Sequence, residues 1–169
     1  NGGNFSGGYW VNNNERLEGK LIASHLSRPL GVLIRDMNKY SLNLMARNLM
    51  LTVIAEDLKK QVTEDDVNHF VLDWLGNQGI ANDNIFVENG AGLSRKTYIN
   101  ADTLLEIMDK IYEHPYMPEM LSSLSVLNED GTLEKKMPFS KVKKNGHFKT
   151  GSLQNVSAIA GYFVDKDKN

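Results

Sequence analysis

An α+β fold, with helices through the middle of the chain and antiparallel strands near its end, is what the residue pattern predicts. Three observations carry this. Apolar residues recur at helical spacing in several runs between Leu30 and Leu124. Two β-rich segments, 147–151 and 157–164, follow each other across a short polar connection. Strands do not alternate regularly with helices, which argues against a βαβ arrangement.

Element by element, Tyr9-Trp10-Val11 reads as a short strand ending at Asn12-Asn13-Asn14, and Leu21-Ile22-Ala23 as another. Pro29 suits the first turn of a helix whose apolar face is Leu30, Leu33, Ile34 and Met37. Leu44, Met45, Leu49, Val53 and Ile54 define a second helix, and Ser41 between the two can end one and cap the next. Thr63 followed by Glu64, Asp65 and Asp66 is a helix start, with Val67, Phe70, Val71, Trp74 and Leu75 as its apolar face and Gly76 and Gly79 around its end. Ile85-Phe86-Val87 is a buried strand running into a turn at Glu88-Asn-Gly-Ala-Gly92. Asn100 or Asp102 opens a helix through Leu104, Leu105, Met108 and Ile111, stopped at His114-Pro115. A shorter helix spans Met117 to Leu124, and Asn128-Glu-Asp-Gly131 is a turn. The polar connection between the last two strands runs from Ser152 to Val156.

The chain has 169 residues, 41% hydrophobic and 24% charged, which fits one ordinary globular domain rather than a disordered segment. A net charge of −2 gives no electrostatic basis for nucleic acid as a partner. With no cysteine, disulfides, thiolate metal sites and a cysteine nucleophile are excluded. The four histidines show no metal-ligand spacing, so no metal site is expected; His69 reads as a helix-surface residue and Asp65-Asp66 as a helix N-terminus.

Two short motifs can carry chemistry. Lys149-Thr150-Gly151, with Ser152 beside it, lies on a predicted strand. It offers a fixed positive charge, two hydroxyls and a residue without a side chain, a set suited to holding a carboxylate. Alone, such a triplet is an ordinary surface strand. Ser41-Leu42-Asn43 is the only Ser-x-Asn in the sequence. At a helix junction its hydroxyl can relay a proton and its amide can orient a neighbour, although helix capping is the commoner use of these residues.

Together, in this order, the motifs match the second and third motifs of penicillin-recognising serine enzymes, Ser-x-Asn and then Lys-Thr-Gly. The flanks narrow the likeness. Arg35-Asp-Met-Asn-Lys-Tyr-Ser-Leu-Asn-Leu-Met-Ala46, Asn89-Gly-Ala-Gly-Leu-Ser-Arg95, Asp130-Gly-Thr-Leu133 and His147-Phe-Lys-Thr-Gly-Ser-Leu-Gln-Asn-Val-Ser157, continued by Ala160-Gly-Tyr162, closely resemble segments of the D-alanyl-D-alanine carboxypeptidase/endopeptidase family, the class C low-molecular-mass penicillin-binding proteins. Ala91 departs from that family's usual serine, and Leu42 fills the variable centre of Ser-x-Asn. The first motif, Ser-x-x-Lys, is missing in its expected position. Ser140-Lys-Val-Lys143 has the spacing but the wrong order, in a basic segment without an apolar helix.

The resemblance implies the C-terminal part of a penicillin-binding, transpeptidase/β-lactamase-like fold, with residues 1–169 a portion of that domain and the nucleophile upstream. It implies a periplasmic or otherwise extracytoplasmic serine hydrolase. Its partners would be peptidoglycan stem peptides ending in D-Ala-D-Ala and β-lactams, its intermediate an acyl-enzyme, and its cofactors none. The implied catalytic residues are Ser41, relaying a proton to the leaving amine; Asn43, orienting the upstream lysine and the substrate amide; and Lys149, setting the field of the cleft. Thr150 and Ser152 would bind the terminal carboxylate, the Ser152 N–H would form half of the oxyanion hole, and Gly151 would keep the strand open. The chain by itself would lack activity and would associate through the uncovered surface. A non-catalytic binding module of the same fold is the rival reading, and a β-lactamase a third.

Overall fold

A computed structural model describes residues 6–7, 22–80, 83–134 and 145–163. The expected strand at Tyr9-Trp10-Val11 and the Ser140-Lys143 pair lie outside the described residues. At the second expected strand, Ile22 and Ala23 carry no regular structure, and Ile22 is almost fully exposed. Both are exposed, and two residues with nothing among the described residues to pack against do not hold a strand.

Helix α1 (Leu30–Tyr40) starts directly after Pro29, whose fixed φ of −52° with ψ of 145° sets the entry. It closes on Ser41, which takes the left-handed conformation at φ 52°, ψ 51°. The Leu42 N–H then reaches back to the Met37 carbonyl at 3.0 Å. Helix α2 (Asn43–Leu58) follows after two residues, Ser41 and Leu42, with Leu42 and not Ser41 at its N-cap and no side-chain cap bond. The serine therefore ends the first helix without capping the second, and its hydroxyl is left for another partner.

Helix α3 (Glu64–Asn77) begins in a capping box. The Asp66 carboxylate accepts from the Thr63 N–H at 2.8 Å and from the Thr63 hydroxyl at 2.7 Å. Val67 and Leu75 of this helix are buried, whereas Trp74 is exposed. Leu75, Ile80 and Ile85 form a core cluster flanked by Val71, Leu72, Val87 and Ile107. A two-stranded ribbon, β1 (Ile85–Phe86) with β2 (Tyr98–Ile99), brackets the loop that contains residues 89–95. Helix α4 (Ala101–Tyr112) is capped by Asn100, whose side chain accepts from the Thr103 N–H at 2.8 Å. Helix α5 (Met117–Ser123) follows.

The main sheet is antiparallel, in the order β3-β4-β5. Strand β3 (Ser125–Val126) pairs only with His147 and Phe148 of β4 (Gly146–Leu153). Strand β5 (Val156–Phe163) pairs with the whole of β4. The strands extend further than expected: Ser152 and Val156 belong to them, and only Gln154 and Asn155 make the turn, Asn155 at φ 65°. Gly161 faces Phe148 across the ladder, where a Cβ would stand 2.0 Å from the His147 carbonyl oxygen. Helices meet the sheet through hydrogen bonds: Tyr162 donates to the Met108 carbonyl at 2.8 Å, and His147 Nδ1 lies 3.1 Å from the Leu121 carbonyl oxygen. The α1–α2 junction thereby comes beside β4.

Candidate active site

Ser41 and Lys149 are 108 positions apart and meet side chain to side chain: the Lys149 ammonium donates to the Ser41 hydroxyl. The turn that ends α1 makes this contact. A non-glycine residue at positive φ costs about 1 kcal/mol or more, and such strain gathers where a side chain must be aimed. The same ammonium donates to the Thr150 carbonyl at 3.0 Å. Because Ser41 accepts from Lys149, its own proton is free for another partner. Burial lowers the pKa of Lys149 below the ordinary 10.5.

Asn43 opens α2, and its Nδ2 donates to the Ala91 carbonyl at 2.7 Å. The 89–95 loop is thereby tied to the Ser-x-Asn junction through a main-chain oxygen, so the Ala91 departure leaves this contact unaffected. Gly90 sits tight against Met50, and Arg95 reaches the Gln154 carbonyl at 2.8 Å, joining the loop to the β4–β5 turn.

Strand parity orients β4. The Gly146 carbonyl accepts from the Leu127 N–H at 3.0 Å, on the β3 side. Backbone groups alternate along a strand, so those of Phe148, Thr150 and Ser152 face the same side. Strand β3 stops at Phe148. Among the described residues, the N–H and C=O groups of Thr150 and Ser152 therefore lie on an open edge. Gly151 is exposed and opens the strand further; a Cβ there would meet only Ala158, at 3.8 Å. The six residues expected at the site thus fall on one junction and one strand, with Ser41 and Lys149 in direct contact.

The sequence reading missed the bracket behind the site. Lys39 is buried, 7% exposed. Its ammonium donates to the Leu124 carbonyl at 3.0 Å and to the Asp130 carboxylate. Asp130 also accepts from the Val126 N–H at 2.8 Å. Burial pushes the Asp130 carboxyl upward, but the Lys39 and Val126 hydrogen bonds outweigh it and hold the group below the usual carboxylate value. Asn38 donates to Ser123 Oγ at 2.8 Å, fixing α1 to α5. The Asp130-Gly-Thr-Leu133 segment, noticed only as a point of likeness, closes this bracket as a short 3₁₀ turn. Its Thr132 Oγ1 lies 3.0 Å from Thr150 Oγ1. A lysine two residues before Ser41 and an Asp-Gly pair were the available signals.

A Ser-x-Asn serine in contact with the lysine of a Lys-Thr-Gly strand is the arrangement of the second and third motifs of penicillin-recognising serine enzymes. The sequence profile of the D-Ala-D-Ala carboxypeptidase 3 (S13) family matches residues 1–169, and the chain belongs to that family. It is 29% identical over 150 residues to the D-alanyl-D-alanine carboxypeptidase DacB of Haemophilus influenzae, covering 88% of this chain and 31% of that protein. It is 27% identical over 150 residues to the D-alanyl-D-alanine carboxypeptidase of Actinomadura sp. strain R39, covering 86% of this chain and 28% of that one. The crystal structure of penicillin binding protein 4 (dacB) from Haemophilus influenzae superposes with a TM-score of 0.78 at 28% identity, covering 84% of this chain and 32% of that one. Its complex with a novel β-lactam gives a TM-score of 0.81 at 28% identity, covering 90% of this chain and 35% of that one. The fold is the penicillin-binding fold, and the chain spans less than a third of the length of these curated relatives.

Proposed function

We propose that the chain supplies the proton-relay and carboxylate-binding half of a serine D-Ala-D-Ala carboxypeptidase/endopeptidase that acts on peptidoglycan stem peptides outside the cytoplasm and is acylated by penicillins. The Lys149 ammonium on the Ser41 hydroxyl carries this reading. The nucleophile is a serine on a segment preceding these residues in the full protein, and without it this chain is inactive. That serine gives its proton to the upstream lysine as it attacks the carbonyl carbon of the penultimate D-alanine, and the C–N bond breaks as Ser41 delivers its own proton to the departing amine and regains one from that lysine. Lys149 keeps Ser41 oriented and, with the Thr150 and Ser152 hydroxyls, holds the terminal carboxylate. The open-edge N–H of Ser152 stabilises the oxyanion. Asn43, anchored on Ala91, turns the rest of its amide toward the substrate and the upstream lysine. Gly151 admits the substrate backbone. Water then hydrolyses the acyl-enzyme.

Location outside the cytoplasm follows from the substrate; among the described residues no helix is long and apolar enough to cross a membrane. The isolated chain further associates with itself through the outer sheet face, where Ile159 and Phe163 are exposed.

Labelling with a fluorescent penicillin tests the assignment. The full-length protein is labelled and residues 1–169 alone are not. Lys149→Ala slows acylation by about 10²–10³, the usual loss when one key electrostatic group goes, and Ser140→Ala changes nothing. Labelling that survives Lys149→Ala and disappears in Ser140→Ala overturns the assignment.

A further inference from the structure

The Thr150 hydroxyl is useful to a carboxylate only as a donor, and a threonine hydroxyl has one proton. What decides its direction is the group behind it. Thr132 Oγ1 stands 3.0 Å from Thr150 Oγ1. Behind Thr132 is Ser125, fully buried, whose Oγ accepts from the Thr132 N–H at 3.3 Å and lies 3.4 Å from Thr132 Oγ1. With one lone pair occupied by the Thr132 N–H, Ser125 still has a proton to offer Thr132 Oγ1, and either hydroxyl can donate across that contact. If Thr132 donates in turn to Thr150, the Thr150 proton is left facing outward. The inner end of this line is held. Gly131, at φ 59°, packs so closely that a Cβ would stand 2.4 Å from Ser125 Oγ and 2.7 Å from the Lys39 carbonyl oxygen. The Lys39–Asp130 pair fixes the same turn against α1.

We infer that Thr132 is a positioning residue: the chain Ser125 to Thr132 to Thr150 sets the Thr150 hydroxyl as a donor, and so sets the preference for substrates that carry a free carboxylate. The inference rests on the carboxylate-binding role proposed above for Thr150. The logic mirrors that at Ser41, which accepts from Lys149 and so keeps its proton for another partner. No bond is made or broken in this chain; it acts through orientation alone.

The test uses the full-length protein and compares acylation by a penicillin with acylation by its methyl ester, whose carboxylate charge is gone. Thr132→Val keeps the shape and removes the donor. It is expected to reduce the preference for the acid over the ester roughly tenfold, the scale of one hydrogen bond to a charged group. Thr132→Ser is expected to restore it. The acid-to-ester ratio is taken within one preparation, so a smaller folded fraction cancels. Equal loss on both compounds, or no loss in Thr132→Val, overturns the inference. Wild-type protein that is not acylated at all overturns the functional reading, and the inference with it.

Discussion

Lys149 shows what a single half-buried cation does to a site. Removal from water disfavours its charged form, so it gives up its proton at a pH below the ordinary 10.5. If the charge holds the substrate carboxylate, kcat/KM falls as pH rises through that lowered pKa. A guanidinium remains charged there, so Lys149→Arg should move the basic limb of the pH profile upward, at whatever reduced rate its different shape allows. A limb that stays in place removes Lys149 as its source. The behaviour of these residues was only half legible in the sequence. The pairing of Ser41 with Lys149 followed from motif order and likeness. The Lys39–Asp130 bracket did not, because nothing in a sequence says that one lysine of a helix turns inward to a partner 91 positions away.

At the scale of elements, the capping box of α3 and the 3₁₀ turn after β3 invite different tests. Asp66 is held far below the usual carboxylate value, first by the Lys60 ammonium and then by the Thr63 N–H and hydroxyl. A carboxyl depressed in the folded state adds stability above its unfolded value of 3.8, and that stability is lost as pH falls below it. Acid unfolding followed by circular dichroism should therefore be shallower for Asp66→Asn than for the wild type below that pH; identical slopes would refute this. Thr63→Ala should cost about 1 kcal/mol at neutral pH. In the 3₁₀ turn, Gly131→Ala sets a Cβ against Ser125 and the Lys39 carbonyl at positive φ. It should cost about 2 kcal/mol or more in denaturant unfolding. The five helices among the described residues were legible from their periodicity, although Ser41 does not cap α2 as its position suggested. Strands β2 and β3 were not, since two residues each carry no pattern and exist because a partner strand lies beside them.

At the scale of the molecule, the described fold leaves one sheet face poorly covered. In β5, Ile159 and Phe163 share a face by alternation and are 55% and 53% exposed. Among the described residues β5 also forms the outer edge of its sheet. Strand parity directs the backbone N–H and C=O of Ile159 away from β4, because Thr150, its cross-strand partner, directs its own toward the β3 side. An apolar face joined to an unpaired edge is a template for a second strand. Multi-angle light scattering of the isolated chain should therefore show a mass that rises with concentration. Ile159→Lys places a charge on both the face and the edge without touching the β4 ladder, and should return the chain toward monomer with its circular dichroism unchanged. A wild-type chain that stays monomeric at high concentration, or an Ile159→Lys variant that associates equally well, would show that this face does not drive association.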